Sequence, residues 1–148
     1  MWDVDKAVDY LNKHAHKKSM GRCAQFTRLA IEAGGLSLVH QASAKDYGSS
    51  LTKVGFKAID AQSNQFQKGD VAVIQPIAHH PHGHMAMFNG KFWVSDFLQL
   101  HGFYPGISYR KLHPSYTIYR YPLSVKSVSI KPHATFAEYE AHYLTLLA

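Results

Sequence analysis

The spacing of apolar residues changes once along this chain, near Phe56, and that change limits the folds open to it. Before it, apolar positions recur at helical intervals. Val4, Ala7, Val8, Leu11 and Ala15 form one stripe, with Asp3 placed to cap the first turn. A second helix is expected over residues 22–33, where Cys23, Phe26, Thr27, Ala30 and Ile31 share a face and Gly34-Gly35 ends it. A third is expected over residues 44–54, capped by Ser43 and stopped by Gly55. Beyond this point the chain breaks into short strand-like segments separated by turns. Residues 56–59 and 70–75 read as strands, the second opened by a Lys68-Gly69-Asp70 turn. Residues 85–88 and 92–97 flank Asn89-Gly90, a hairpin signal, and residues 116–121 add another strand. Residues 101–114, rich in Gly, Pro and Tyr, read as a loop long enough to carry function. Thr135-Phe136-Ala137-Glu138 is a capping box that opens a C-terminal helix, with Phe136, Tyr139, Tyr143 and Leu147 on its apolar side. Helices followed by a mostly antiparallel sheet make an α+β fold.

Composition narrows the function classes. The 148 residues show no repeat and are read as one domain, with a core at about residues 20–121 and a helical extension at about 123–148. An apolar content of 46% supplies a core, so disorder is excluded. One cysteine permits neither an internal disulfide nor a cysteine-based zinc finger. The apolar runs fall far short of the ~20 residues of a membrane helix, so no membrane insertion is expected. Residues 1–14 are acidic and lack an apolar stretch, and do not read as a secretory signal. The net charge of +6 suits an anionic partner. Its Lys and Arg residues are scattered, with no recognition helix or RNA-binding signature, so nucleic acid is not expected and an anionic cell-wall polymer fits as well.

The single thiol lies at the start of the second helix. Free N–H groups and the helix dipole there favour an anion, lowering a thiol pKa, and Arg22 adds a nearby positive charge. A lone Cys on an apolar face is otherwise a packing residue. The balance moves toward chemistry because His84, in His82-Gly83-His84-Met85-Ala86-Met87-Phe88, opens a strand downstream, where an imidazole is held rigidly enough to act as a base.

Gly21-Arg22-Cys23-Ala24-Gln25-Phe26-Thr27-Arg28, Gly69-Asp70-Val71-Ala72-Val73-Ile74 and Gly83-His84-Met85-Ala86-Met87-Phe88 resemble, in order and spacing, three blocks of the CHAP and NlpC-type cysteine peptidases. The resemblance spans about residues 20–121. It implies a compact papain-like fold, Cys23 as nucleophile, His84 as general base, no cofactor, and peptidoglycan amide bonds as the substrate class. Family members place a polar residue on the strand after the histidine strand, here Val94-Ser95-Asp96. Asp96 is the chemical favourite, since a carboxylate orients an imidazole and stabilises its charged form. Register tests that choice. A two-residue turn at Asn89-Gly90 pairs His84 with Ser95 and turns Asp96 to the other face. A three-residue loop with Gly90 left-handed pairs His84 with Val94 and brings Asp96 diagonally within reach; this loop is the one expected. Arg22, His82, Ser95 and Tyr104 are the candidate substrate-binding residues around this centre.

The run His79-His80-Pro81-His82-Gly83-His84 invites a metal, but no carboxylate or Cys completes a ligand spacing and Pro81 interrupts it. It is read as an active-site loop, and no metal is expected. A non-catalytic wall-binding module, with a groove lined by aromatics such as Phe103, Tyr104, Tyr109 and Tyr116, is a rival reading. Another is a cytosolic amidase acting on a small conjugate such as a glutathione–polyamine amide. The absent signal, small size and single Cys resemble type VI secretion amidase effectors or phage lysins, with the effector preferred. Such a chain is made in the cytoplasm, leaves by a signal-independent route for a target periplasm or wall, and needs an immunity protein as partner.

Overall fold

Helix α1 (Val4–His14) starts where the Asp3 side chain accepts the Lys6 N–H at 3.1 Å, and it buries Ala7, Val8 and Leu11. Helix α2 (Cys23–Ala33) lies against it, burying Thr27, Ala30 and Ile31. The two are tied by Trp2, whose indole N–H donates to the Ile31 carbonyl at 3.0 Å. Gly34 makes that contact possible, because a Cβ there would collide with the Trp2 indole nitrogen and lie 2.6 Å from the Asp3 carbonyl oxygen. These elements belong to a computed structural model that describes residues 1–62 and 65–122.

The third helical segment differs from expectation. Ala44–Asp46 form a 3₁₀ turn and α3 (Tyr47–Lys53) follows. Ser43 does not cap it. Its hydroxyl bonds His82 Nδ1 at 2.6 Å, and the Lys45 N–H reaches the His82 carbonyl at 2.9 Å, so the histidine-rich loop takes the polar groups that a cap needs.

Six strands follow: β1 (Lys57–Ile59), β2 (Val71–Ile74), β3 (His84–Phe88), β4 (Trp93–Val94), β5 (Leu98–Gln99) and β6 (Tyr116–Arg120). Their order is β1-β6-β2-β3-β4-β5, with every neighbouring pair antiparallel. Period-two alternation splits the sheet's side chains between two apolar layers. Val71, Val73, Met85 and Met87 pack with Ala7, Leu11, Ala30 and Ile31 of the helices. Ala72, Ile74, Ala86, Trp93 and Ile118 pack with Tyr109, Phe66 and Phe103 on the other face. Both faces of β2 are therefore covered, which is why it reads as the unbroken apolar run Val-Ala-Val-Ile. The α+β, papain-like architecture is the one expected, with helices on a mostly antiparallel sheet. Two elements were not: β5, and α4 (Ile107–Leu112), which stands inside the segment read as a loop. The capping box at Thr135 and the C-terminal helix lie outside the described residues. No helix among the described residues is long and apolar enough to cross a membrane.

The start of β2 is fastened to the end of β6 by Asp70, which is fully buried. Its carboxylate accepts from Arg120 Nε and Nη2, both at 2.8 Å, and from the Gln67 N–H. Replacing Asp70 with Ala leaves a half-buried guanidinium unpaired. The expected loss in urea unfolding is about 3 kcal/mol, at the low end for a buried pair because Arg120 keeps some contact with water. An unchanged urea midpoint would contradict this account.

Candidate active site

Helix α2 packs on β3, so the start of the helix lies beside the start of the strand, and these two ends carry Cys23 and His84. Gly83 permits the approach. Its φ is +69°, and a Cβ on it would collide with the Ile74 carbonyl oxygen, so glycine alone lets the chain enter β3 hard against β2. His84 then pairs with Ile74. Cys23 and His84 both line one cleft of about 490 Å³, together with Gly21, His80, His82 and Tyr109.

His84 is buried, and its Nε2 lies 2.7 Å from Gln99 Oε1. The amide of Gln99 cannot be turned the other way, because its Nε2 donates to the Gly102 and Phe103 carbonyls, each at 2.9 Å. The oxygen facing the ring is an acceptor, so the ring's Nε2 carries the proton and Nδ1 keeps the free lone pair. Burial pulls the His84 pKa down to about 4; the Gln99 bond and the charge of Asp96 oppose this, and His80 adds to it. The imidazole is neutral at physiological pH.

The thiol departs from the expectation of an activated anion. Burial pushes the Cys23 pKa up to about 11, and the Asp96 charge pushes the same way. The N–H groups of Met85, Ala24 and Cys23 near the sulfur favour the anion but are outweighed. The pair therefore rests as thiol and neutral imidazole.

Asp96 does not hold the ring. Its Oδ2 accepts the Met20 and Arg22 N–H groups at 2.6 and 2.9 Å, and its Oδ1 accepts the Ser95 hydroxyl at 3.2 Å. Register explains the difference. The hairpin loop has four residues, 89–92, with Met87 paired to Val94 and Phe88 to Trp93, which is neither of the registers considered from sequence. The Asn89 side chain sets that length by accepting the Lys91 and Phe92 N–H groups. Strand β4 stops after Val94, the Ser95 N–H bonds the Phe97 carbonyl, and the chain turns back into β5, where Gln99 pairs with Trp93.

Of the four candidate substrate-binding residues, His82 lines the cleft. Ser95 is buried, bonded to Asp96 and outside the cleft lining. The Arg22 side chain is exposed and outside the cleft lining. Tyr104 belongs to the aromatic layer: its ring lies 4.7 Å from Phe103 and its hydroxyl donates to the Pro114 carbonyl. One site residue, Gln99, had not been singled out from sequence, and a second, Tyr109, had been named only among the groove aromatics of the rival reading. Gln99 follows a break in the strand pattern that no motif marks. Tyr109, 4% exposed with its ring 6.2 Å from His84, sits on α4. Burial and the neighbouring Cys23 push its phenol up to about 12. No three His, Cys, Asp or Glu side chains among the described residues are grouped to hold a metal ion.

No protein-family model matches the chain, and no curated protein matches it. The CHAP and NlpC likeness therefore stays a resemblance. Solved structures do match. The crystal structure of the type VI native effector–immunity complex Tae3–Tai3 from Ralstonia pickettii is 50% identical over 81% of this chain and 99% of that chain, with a TM-score of 0.77. The selenomethionine form of the same complex is 51% identical over 77% of this chain and 98% of that one, with a TM-score of 0.73. Identity at that level, over nearly the whole length of the solved chain and with a shared fold, means that this chain belongs to the Tae3 family of type VI effectors.

Proposed function

We propose that this chain is a cysteine amidase that hydrolyses amide bonds in the peptide stem of bacterial peptidoglycan. The observation that carries the reading is the cleft shared by a lone thiol at a helix start and an imidazole held through Nε2 by Gln99. Kinship with a type VI effector supports an antibacterial role, and the +6 charge suits an anionic wall.

Because the thiol and imidazole are both neutral at rest, the proton moves as the sulfur attacks. His84 Nδ1 takes it from Cys23 Sγ while the S–C bond to the amide carbonyl forms. The N–H groups at the start of α2 receive the developing oxyanion. The imidazolium so formed donates through Nε2 to Gln99 Oε1 and lies in the field of Asp96. It returns the proton to the leaving amine as the C–N bond breaks. Water, deprotonated by His84, then attacks the acyl carbon; the C–S bond breaks and the imidazolium returns its proton to the departing sulfur, restoring thiol and neutral imidazole. His82 and Tyr109 line the approach to this centre.

The structural neighbours are complexes of an effector with its immunity protein, which supports a cognate immunity partner for this chain in the producing cell. Export by the type VI route to a target periplasm completes the reading. The test is incubation of purified muropeptides with the protein and with its Cys23→Ala variant, followed by mass spectrometry. One water added across a stem amide, by the parent chain only, is expected. Intact muropeptides beside cleaved small amides would overturn the wall substrate, and cleavage by the Cys23→Ala variant would overturn the nucleophile.

A further inference from the structure

Asp96 is 0% exposed, and no Lys or Arg among the described residues forms an ion pair with it. A carboxylate so placed is costly unless its acceptors are filled. They are filled by the N–H groups of Met20 and Arg22 and by the Ser95 hydroxyl. Met20 and Arg22 belong to the exposed segment that leads into Cys23 and forms, through Ser19 and Gly21, one wall of the cleft. Packing does little to hold that segment. Met20 is 53% exposed, and around Gly21, with φ of +70°, there is open space on the side a Cβ would occupy.

The other ties of the segment reach the same turn. The His16 N–H donates to the Asp96 carbonyl at 2.8 Å, and the Leu98 N–H donates to the His16 carbonyl at 3.2 Å. Three residues beyond Asp96, Gln99 holds the imidazole. One short stretch, residues 95–99, thus reaches the nucleophile-bearing loop with one side chain and the base with another.

We propose that Asp96 is a positioning residue: with Gln99 just past the same β4–β5 turn, it sets the Cys23 loop and the His84 ring against each other as one rigid unit. This rests on the amidase reading. An Asn at position 96 would accept the same two N–H groups through its oxygen and meet Ser95 through its NH₂, so a purely steric tether does not need the charge. The charge faces both partners. It opposes a free thiolate at Cys23 and favours the imidazolium at His84, so it supports proton transfer once the sulfur is bonding to substrate. The other titratable groups facing the pair are His80, beside His84, and Tyr109, beside Cys23.

The test uses the full chain with Asp96→Ala, Asp96→Asn and Gln99→Ala. Muropeptide turnover, amide hydrogen exchange at Met20 and Arg22, and the pH midpoint of Cys23 alkylation are measured. Asp96→Ala is expected to lose about 100-fold in turnover, the scale of a misplaced reacting group, with faster exchange at both amides. Asp96→Asn is expected to keep the exchange protection and to move the alkylation midpoint to lower pH. Turnover loss in Asp96→Ala combined with Gln99→Ala should be smaller than the product of the single losses. Wild-type turnover or wild-type amide exchange at Met20 and Arg22 in Asp96→Ala overturns the proposal, and an unmoved midpoint in Asp96→Asn overturns the part assigned to the charge. If the Ala variant does not fold, the Asn variant decides. Exchange and alkylation need no substrate, so failure to cleave muropeptides would sink the amidase reading while these two measurements still judged the clamp.

Discussion

Cys23→Ala and His84→Ala are each expected to lower muropeptide turnover by about 10⁴-fold or more, and the double variant should be no slower than the worse of the two. The reason is that, in the proposed mechanism, the two side chains perform one step together. The sulfur, with its pKa near 11, supplies almost no anion without a base, and the imidazole has no proton to take without the thiol. Removing either leaves only the N–H groups of the helix start and whatever binding the cleft provides. The changes differ in their structural cost. Cys23 is half-buried at the edge of the helix–sheet core, so Ala there should leave the fold intact. His84→Ala strands the buried Gln99 oxygen, so circular dichroism should accompany its kinetics. Losses that multiply in the double variant would mean that the residues act in separate steps, and the mechanism would have to be redrawn.

The second large effect is in pH. Alkylation of Cys23 by iodoacetamide at pH 7 should run at about one ten-thousandth of its plateau rate and rise tenfold per pH unit toward a midpoint near 11. Stability should follow the same two groups. His84 titrates near 4 in the fold against an ordinary 6.5, so between those values the unfolded chain binds the extra proton. Stability is complete above about 6.5 and falls as pH drops toward 4, by ~3 kcal/mol at ~1.4 kcal/mol per pH unit. Cys23 titrates near 11 against an ordinary 9.0, so the stability of its buried neutral form is present below 9 and is lost as pH rises toward 11. Urea unfolding at pH 4, 7 and 10 should show its maximum at 7. Turnover should also fall below about pH 4, where the imidazole becomes charged before it can act. An alkylation midpoint near 8 or lower would mean that the helix start outweighs burial and that the thiolate is formed before substrate arrives.

Cys23 and His84, the proposed nucleophile and base, could be picked out of the chain because both stand beside local punctuation. Gly21 precedes the helix that begins at Cys23, and Gly83 precedes the strand that begins at His84. Helix stripes, the Gly34-Gly35 stop and most strands were legible for the same reason, since spacing of 2 or 3.6 is a property of neighbouring residues. Asp96 was assigned to the wrong partner because its place depends on hairpin length. Asn-Gly located the turn, but the bonds from the Asn89 side chain made the loop four residues long and so moved every later residue relative to His84. Gln99 had no signature, since a two-residue strand after a break carries no measurable period. The helix that carries Tyr109 was hidden for a related reason: six helical residues inside a Gly- and Pro-rich segment look like a loop.

The sequence by itself determined the α+β order of elements and the placing of one thiol at a helix start and one imidazole at a strand start, the two groups on which the proposed mechanism rests. These follow from short-range patterns and from the chemistry of single side chains. Tertiary structure decided which polar group meets the imidazole, which loop the buried carboxylate holds, and that the thiol rests neutral rather than as an anion. Those depend on register and burial, which exist only when residues distant in the chain, such as Met20 and Asp96 or His84 and Gln99, are brought together and water is excluded.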